Sequence, residues 1–143
     1  MTPVELKSRR EALGLSIKAL GEVLDVRTQS ITKWEFGENP PRDWGWINDA
    51  MTGMEEYQDQ LTEELVAAAK ATYEETAEAA LVTYGSRGDY YHWYPEARDR
   101  EWPSAGRGIP VELHRAATAR AARELRRLYG AEAVTISEVP RVD

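Results

Sequence analysis

A chain of 143 residues suffices for one compact domain, or for a small module plus a second that helps bury its core. It has no cysteine, which excludes disulfides and thiolate metal sites, and no apolar run near the roughly 20 residues of a membrane span. The net charge of −7 is uneven: residues 1–42 carry seven Lys+Arg against six Asp+Glu, residues 43–78 one against ten, and residues 107–127 six against two. The acidity therefore sits mainly in one segment and leaves the N-terminal part free to meet a polyanion. Met1-Thr2-Pro3-Val4-Glu5 lacks a secretory pattern, so a soluble, cytoplasmic protein is expected.

Thr2-Pro3-Val4-Glu5 is a capping box with proline preset in the first turn, predicting a helix that ends near Gly14. Ser16 is the N-cap of a short second helix carrying Ile17, Ala19, Leu20, Val23 and Leu24. A tight turn at Asp25-Val26 leads to a third helix, about Thr28 to Phe36, with Ile31 and Trp34 on its buried side and Gly37 as its stop. After Asn39-Pro40-Pro41 a fourth helix is predicted over 43–52, ended or kinked at Gly53. From Met54 an apolar stripe of Tyr57, Leu61, Leu65, Ala68 and Ala69 runs under an acidic face to about residue 78.

Residues 81–84 and 134–139 are predicted strands, separated by an aromatic loop and a helix from Pro110 to Gly130. On that helix Leu113, Ala117, Ala121, Leu125 and Leu128 share one side, and Arg115, Arg120, Arg123, Arg126 and Arg127 fall within an arc of roughly 140° on the other. A strand, helix and strand in one sheet would give a parallel pair. The fold class expected is mainly α: a helix-turn-helix bundle over 1–53, then an α+β module over 54–143 with two short strands, which dimerises.

Leu13-Gly14-Leu15-Ser16, Ala19-Leu20-Gly21, Val23-Leu24-Asp25-Val26, Gln29-Ser30-Ile31-Thr32-Lys33-Trp34-Glu35, Gly37 and Pro40-Pro41 together resemble the helix-turn-helix of the Cro and phage-repressor family, lambda repressor-like and also called XRE. The match departs at three positions: Asp25 replaces the usual turn glycine, Arg27 the usual Ser or Thr cap, and Gly21 the usual alanine. The resemblance implies a transcription regulator, a repressor acting as a homodimer on an inverted repeat in double-stranded DNA. Thr28, Gln29 and Thr32 are then the base-contacting residues, the Gln29 amide matching the donor and acceptor edge of adenine. Ser16, Ile17, Lys18, Arg27, Lys33 and Arg42 are the phosphate contacts. Arg10 and Glu35 are expected to form a structural ion pair between the first and third helices.

Tyr57, Leu61, Leu65, Tyr91 and Trp93 are candidates for a dimer or partner surface. The order of elements from Met54 onward is similar to that of regulators that accompany anti-CRISPR genes. Two alternatives stay open: an antitoxin whose acidic half neutralises a basic toxin, and an RNA-binding regulator stacking bases on the aromatic run and using the arginine face. No phosphate-binding glycine loop, nucleophile elbow or convergent acid–base set is present, so no enzyme is expected. His92 and His114 are the only histidines, and neither a metal site nor a cofactor is expected.

Overall fold

The computed structural model describes residues 1–141. Helix α1 (Pro3–Ala12) opens on the capping box, with the Glu5 amide donating to the Thr2 hydroxyl and the Thr2 amide to the Glu5 carboxylate. Gly14, at φ +80°, turns the chain into α2 (Ile17–Leu24), where the Ser16 hydroxyl accepts from the Ala19 amide. Asp25 takes the left-handed conformation that ends α2, and α3 (Thr28–Glu35) follows with Arg27 as a cap that makes no side-chain bond. Leu6, Leu13, Leu20 and Ile31 are fully buried between these three helices and the start of the next.

Helix α4 (Gly45–Thr76) runs unbroken for 32 residues, so the expected break at Gly53 does not occur and the 53/54 boundary falls inside a helix. The glycine there serves packing: a Cβ would lie 2.9 Å from Pro103 Cδ, so the segment at Trp102-Pro103 rests on the helix backbone. The buried face of α4 also differs from the expected stripe. Met54, Gln58, Thr62, Val66 and Ala69 face inward, whereas Tyr57, Leu61 and Leu65 flank that face half-buried and Ala68 is exposed. Polar side chains can occupy the inner face because they are bonded there: Gln58 Nε2 donates to the carbonyls of Leu13 and Leu113, and the Thr62 hydroxyl to that of Gln58.

Strand β1 (Ala79–Thr83) begins two residues before its expected start. The segment expected as an aromatic loop is instead two short helices, α5 (Arg87–Trp93), capped by Ser86 accepting from the Asp89 amide, and α6 (Pro95–Asp99), with Pro95 in its first turn. Helix α7 (Val111–Tyr129) buries Leu113, Ala117, Ala121 and Leu125 fully against α4 and β1. Leu128, expected on that face, is instead 55 % exposed. Its neighbour Tyr129 closes the helix end by stacking on Tyr73 at 3.7 Å. After a 3-10 turn at Ala131–Ala133, β2 (Val134–Glu138) pairs parallel to β1, Ala79 opposite Val134 through Thr83 opposite Glu138.

The protein is thus mainly α, with a helix-turn-helix at its N-terminus and one two-stranded parallel sheet among the described residues. One core runs from α1–α3 through the first part of α4 to Tyr84, Trp102, Ile109 and Leu113; a second joins Val66, Ala69, Leu81, Leu125 and Val134. No helix of the described residues is long and apolar enough to cross a membrane.

Candidate nucleic-acid interface

Helix α3 has few intrinsic reasons to be stable, being eight residues long, capped by an arginine without a side-chain bond and rich in threonine. Tertiary contacts hold it. Ile31 is fully buried, and Trp34 meets the edges of Trp44 and Trp46 with ring centroids 6.5 and 6.2 Å apart. From the other side Arg10 grips the last residue of α3 with two bonds to the Glu35 carboxylate, Nε at 2.7 Å and Nη2 at 2.9 Å. Arg10 Nη1 donates to the Leu15 carbonyl at 2.8 Å, so one guanidinium links α1, the start of α2 and the end of α3. The hydrogen bonds to Glu35 raise the Arg10 pKa above its ordinary value, against the opposing effect of burial.

With Ile31 and Trp34 turned inward, the opposite side of α3 is left to solvent. Thr28, Gln29 and Lys33 are exposed and Thr32 is half-buried; at about 100° per residue these four span an arc of roughly 140°. The Thr32 hydroxyl donates to the Thr28 carbonyl at 3.1 Å, so its single proton is already used and its methyl and lone pairs remain to face a ligand. Arg27, which precedes α3, and Arg42, seven residues beyond its end, are both exposed.

The turn before α3 is tight. The Val26 amide donates to the Gly21 carbonyl at 2.9 Å, and a Cβ on Gly21 would lie 3.0 Å from the Val26 carbonyl oxygen, so glycine rather than alanine suits this variant of the turn. At the start of α2 the Ser16 hydroxyl satisfies Ala19, and the amides of Ile17 and Lys18 belong to the helix end that has no internal acceptor. Ser16 and Lys18 are exposed and Ile17 is half-buried.

Sequence reasoning missed part of this neighbourhood. Ser16 and Lys18 line a cleft of about 400 Å³ together with Arg87 from α5 and Arg115 from α7, residues distant in the chain that only the fold brings together. Arg87 is paired with Glu22, and Arg115 donates to the carbonyls of Tyr84 and Gly85 at 2.9 and 2.5 Å. Gly14 keeps this seam close, since a Cβ there would meet Ala116 Cβ at 2.8 Å. Arg9 fastens α1 to α4 through Glu55, Asn48 at 2.7 Å and Thr52 at 3.2 Å. On α7 Arg120 reaches Asp59 of the acidic helix at 3.0 Å; Arg123, Arg126 and Arg127 are exposed.

The remaining expected surface residues separate. Tyr57, Leu61 and Leu65 line a cleft with Tyr84, Tyr90 and Tyr94. Tyr91 is half-buried and donates its hydroxyl to the Ile109 carbonyl at 3.0 Å, whereas Trp93 is half-exposed and meets the His92 ring edge-on. Tyr84 and Tyr90 are buried with rings 4.9 Å apart, whereas His92, Trp93 and Tyr94 are exposed.

A comparison with family models matches the helix-turn-helix family to residues 6–43, a little over a quarter of the chain. A comparison with curated proteins finds no match. The matched segment takes in most of α1, all of α2 and α3 and the Arg10–Glu35 pair between them. Residues 6–43 thus form a helix-turn-helix segment, similar to the DNA-binding module of Cro and phage-repressor type transcription regulators.

Proposed function

We propose that the protein is a repressor that binds an inverted repeat as a homodimer, each protomer laying α3 in one major groove. The observation that carries this reading is the arc of exposed Thr28, Gln29 and Lys33 with half-buried Thr32, on a helix anchored from behind by Ile31, Trp34 and the Arg10–Glu35 pair. In this reading Gln29 contacts adenine by paired donor and acceptor, while Thr28 and the Thr32 methyl contact neighbouring base edges. Lys33, Arg27, Arg42 and the amides of the segment from Ser16 to Lys18 hold phosphates. A single eight-residue helix reads too few bases for strong discrimination, and two-fold symmetry doubles them.

Enrichment of bound duplexes from a random pool tests it. A two-fold symmetric sequence with half-sites about one helical turn apart is expected. Gln29→Ala should relax preference at one position per half-site by about 1–3 kcal/mol, and Lys33→Ala should weaken all sequences evenly. An unstructured pool after enrichment, or uniform loss for Gln29→Ala, would contradict the assignment. Exposed Glu56, Asp59, Glu63, Glu74 and Glu75 on α4 favour a second reading, in which the same operator-binding chain also neutralises a basic toxin. Co-purification with the product of an adjacent gene, lost in high salt, would support it.

A further inference from the structure

The cleft on the side of the molecule formed by α4, β1, α5 and α6 has a volume of about 370 Å³, within the roughly 300–1,000 Å³ usual for small-molecule sites. Its walls are aromatic and aliphatic: Tyr57, Leu61, Leu65, Tyr84, Tyr90 and Tyr94. Besides the phenol hydroxyls, its polar side chains include two carboxylates. Glu64 and Glu96 line it; Glu64 accepts from Gln60 at 3.2 Å, and no hydrogen bond or ion pair engages Glu96 among the described residues. Among the described residues no lysine or arginine lines it. Burial keeps the phenols neutral, raising the pKa of Tyr57 and Tyr90 and pushing that of Tyr84 up to about 12, so the negative charge belongs to the two glutamates.

His114 contributes a further acceptor. The residue is 6 % exposed, lines the cleft and packs beside the rings of Tyr84 and Tyr90, at centroid distances of 5.2 and 5.0 Å. The Thr118 hydroxyl gives its one proton to the His114 carbonyl at 2.9 Å, so in the 3.4 Å contact with Nδ1 it is the ring that donates. That tautomer leaves Nε2 with a lone pair, and no hydrogen-bond partner engages it among the described residues. The aromatic cluster already accepts one cation: the Arg100 guanidinium lies 4.8 Å from the Tyr57 ring centroid and 5.2 Å from that of Trp102.

We infer that this cleft binds a lipophilic organic cation, an arylalkyl ammonium whose N–H groups meet Glu64, Glu96 or His114 Nε2 while its hydrocarbon body packs among the tyrosines. Aromatic faces favour a cation, two carboxylates that make no ion pair among the described residues supply the charge, and the apolar walls exclude a small hydrated ion. The inference is independent of the DNA-binding reading.

Calorimetric titration of the full chain, without DNA, tests it with naphthylmethylammonium, naphthylmethanol and naphthoate. The ammonium should bind saturably at one site, the alcohol at least 10-fold more weakly and the carboxylate not at all. The Glu64→Gln/Glu96→Gln variant, altered at two exposed side chains, should lose at least 10-fold for the ammonium and little for the alcohol, with its melting temperature unchanged. Leu61→Trp, which fills the cleft, should abolish binding of both. No saturable binding of the ammonium, equal binding of all three probes, or indifference to the paired glutamine substitutions would overturn the inference. So would a dimer broken by Leu61→Glu in a chain that takes up no amine, which would assign the cleft to a second copy.

Discussion

Replacing Glu35 by alanine removes one half of the pair that holds α3 in place, and the structure sets the size of the loss. The two side chains are only 10 % (Arg10) and 5 % (Glu35) exposed, and Arg10 makes three hydrogen bonds, two of them to Glu35. Glu35→Ala leaves a buried guanidinium with the Leu15 carbonyl as its remaining buried acceptor; Glu11, 3.7 Å away, is exposed and compensates little. Orphaning a charge in this way costs about 3–5 kcal/mol. For 143 residues the unfolding entropy is about 0.3 kcal/mol/K, so the Tm should fall by about 10–16 °C in a calorimetric scan. The drop should be nearly the same at high salt, because a buried pair is screened little. The Arg10→Met/Glu35→Leu double variant should recover most of it, since removing both partners leaves no uncompensated charge. A fall under about 3 °C for the single variant, or a double variant as unstable as the single, would refute the reasoning.

Gly53→Ala should destabilise by about 1–3 kcal/mol in chemical denaturation, although alanine is the better helix former, because its methyl would press on the Pro103 ring; a gain of stability would contradict the packing role. Gln58→Leu should cost about 1–3 kcal/mol by leaving the buried Leu13 carbonyl without its donor, measured in the same way. Burial lowers the pKa of His114 to about 4. The unfolded chain therefore binds the extra proton between about pH 6.5 and 4, and stability is full above this window and falls as the pH drops through it. Relative to His114→Gln, the native chain should lose roughly 3 kcal/mol more between pH 7 and 4, and parallel pH profiles would refute the assignment.

The three N-terminal helices were legible because their signals are local. Thr2 and Glu5, Ser16 and the left-handed Asp25 each act within a few residues of themselves, and the structure bears out all of them. The rest was obscured where distant parts of the chain decide. Gly53 reads as a stop until Pro103 arrives on top of it. The buried face of α4 was displaced in the reading because hydrophobicity does not register that Gln58 bonds to carbonyls 45 and 55 residues away. The segment from Tyr90 to Tyr94 suggested a loop of aromatics, although the Ser86 cap and Pro95 were helix signals in plain sight. No local signal joins Arg87 and Arg115 to Ser16; their meeting beside the start of α2 is a product of tertiary packing.

The most direct test of the central claim is fluorescence anisotropy of the protein on the duplex upstream of its own coding sequence, against a scrambled duplex of equal length, across a salt series. In the proposed assignment Lys18, Arg27, Lys33 and Arg42 are four phosphate-facing cations per protomer and eight per dimer, so a dimer should show a slope of log affinity against log salt of about −7, with preference for the upstream duplex persisting as salt rises. Equal, weak binding of the two duplexes at every salt concentration would contradict operator recognition at its own promoter, and a slope near about −4 would contradict the dimer.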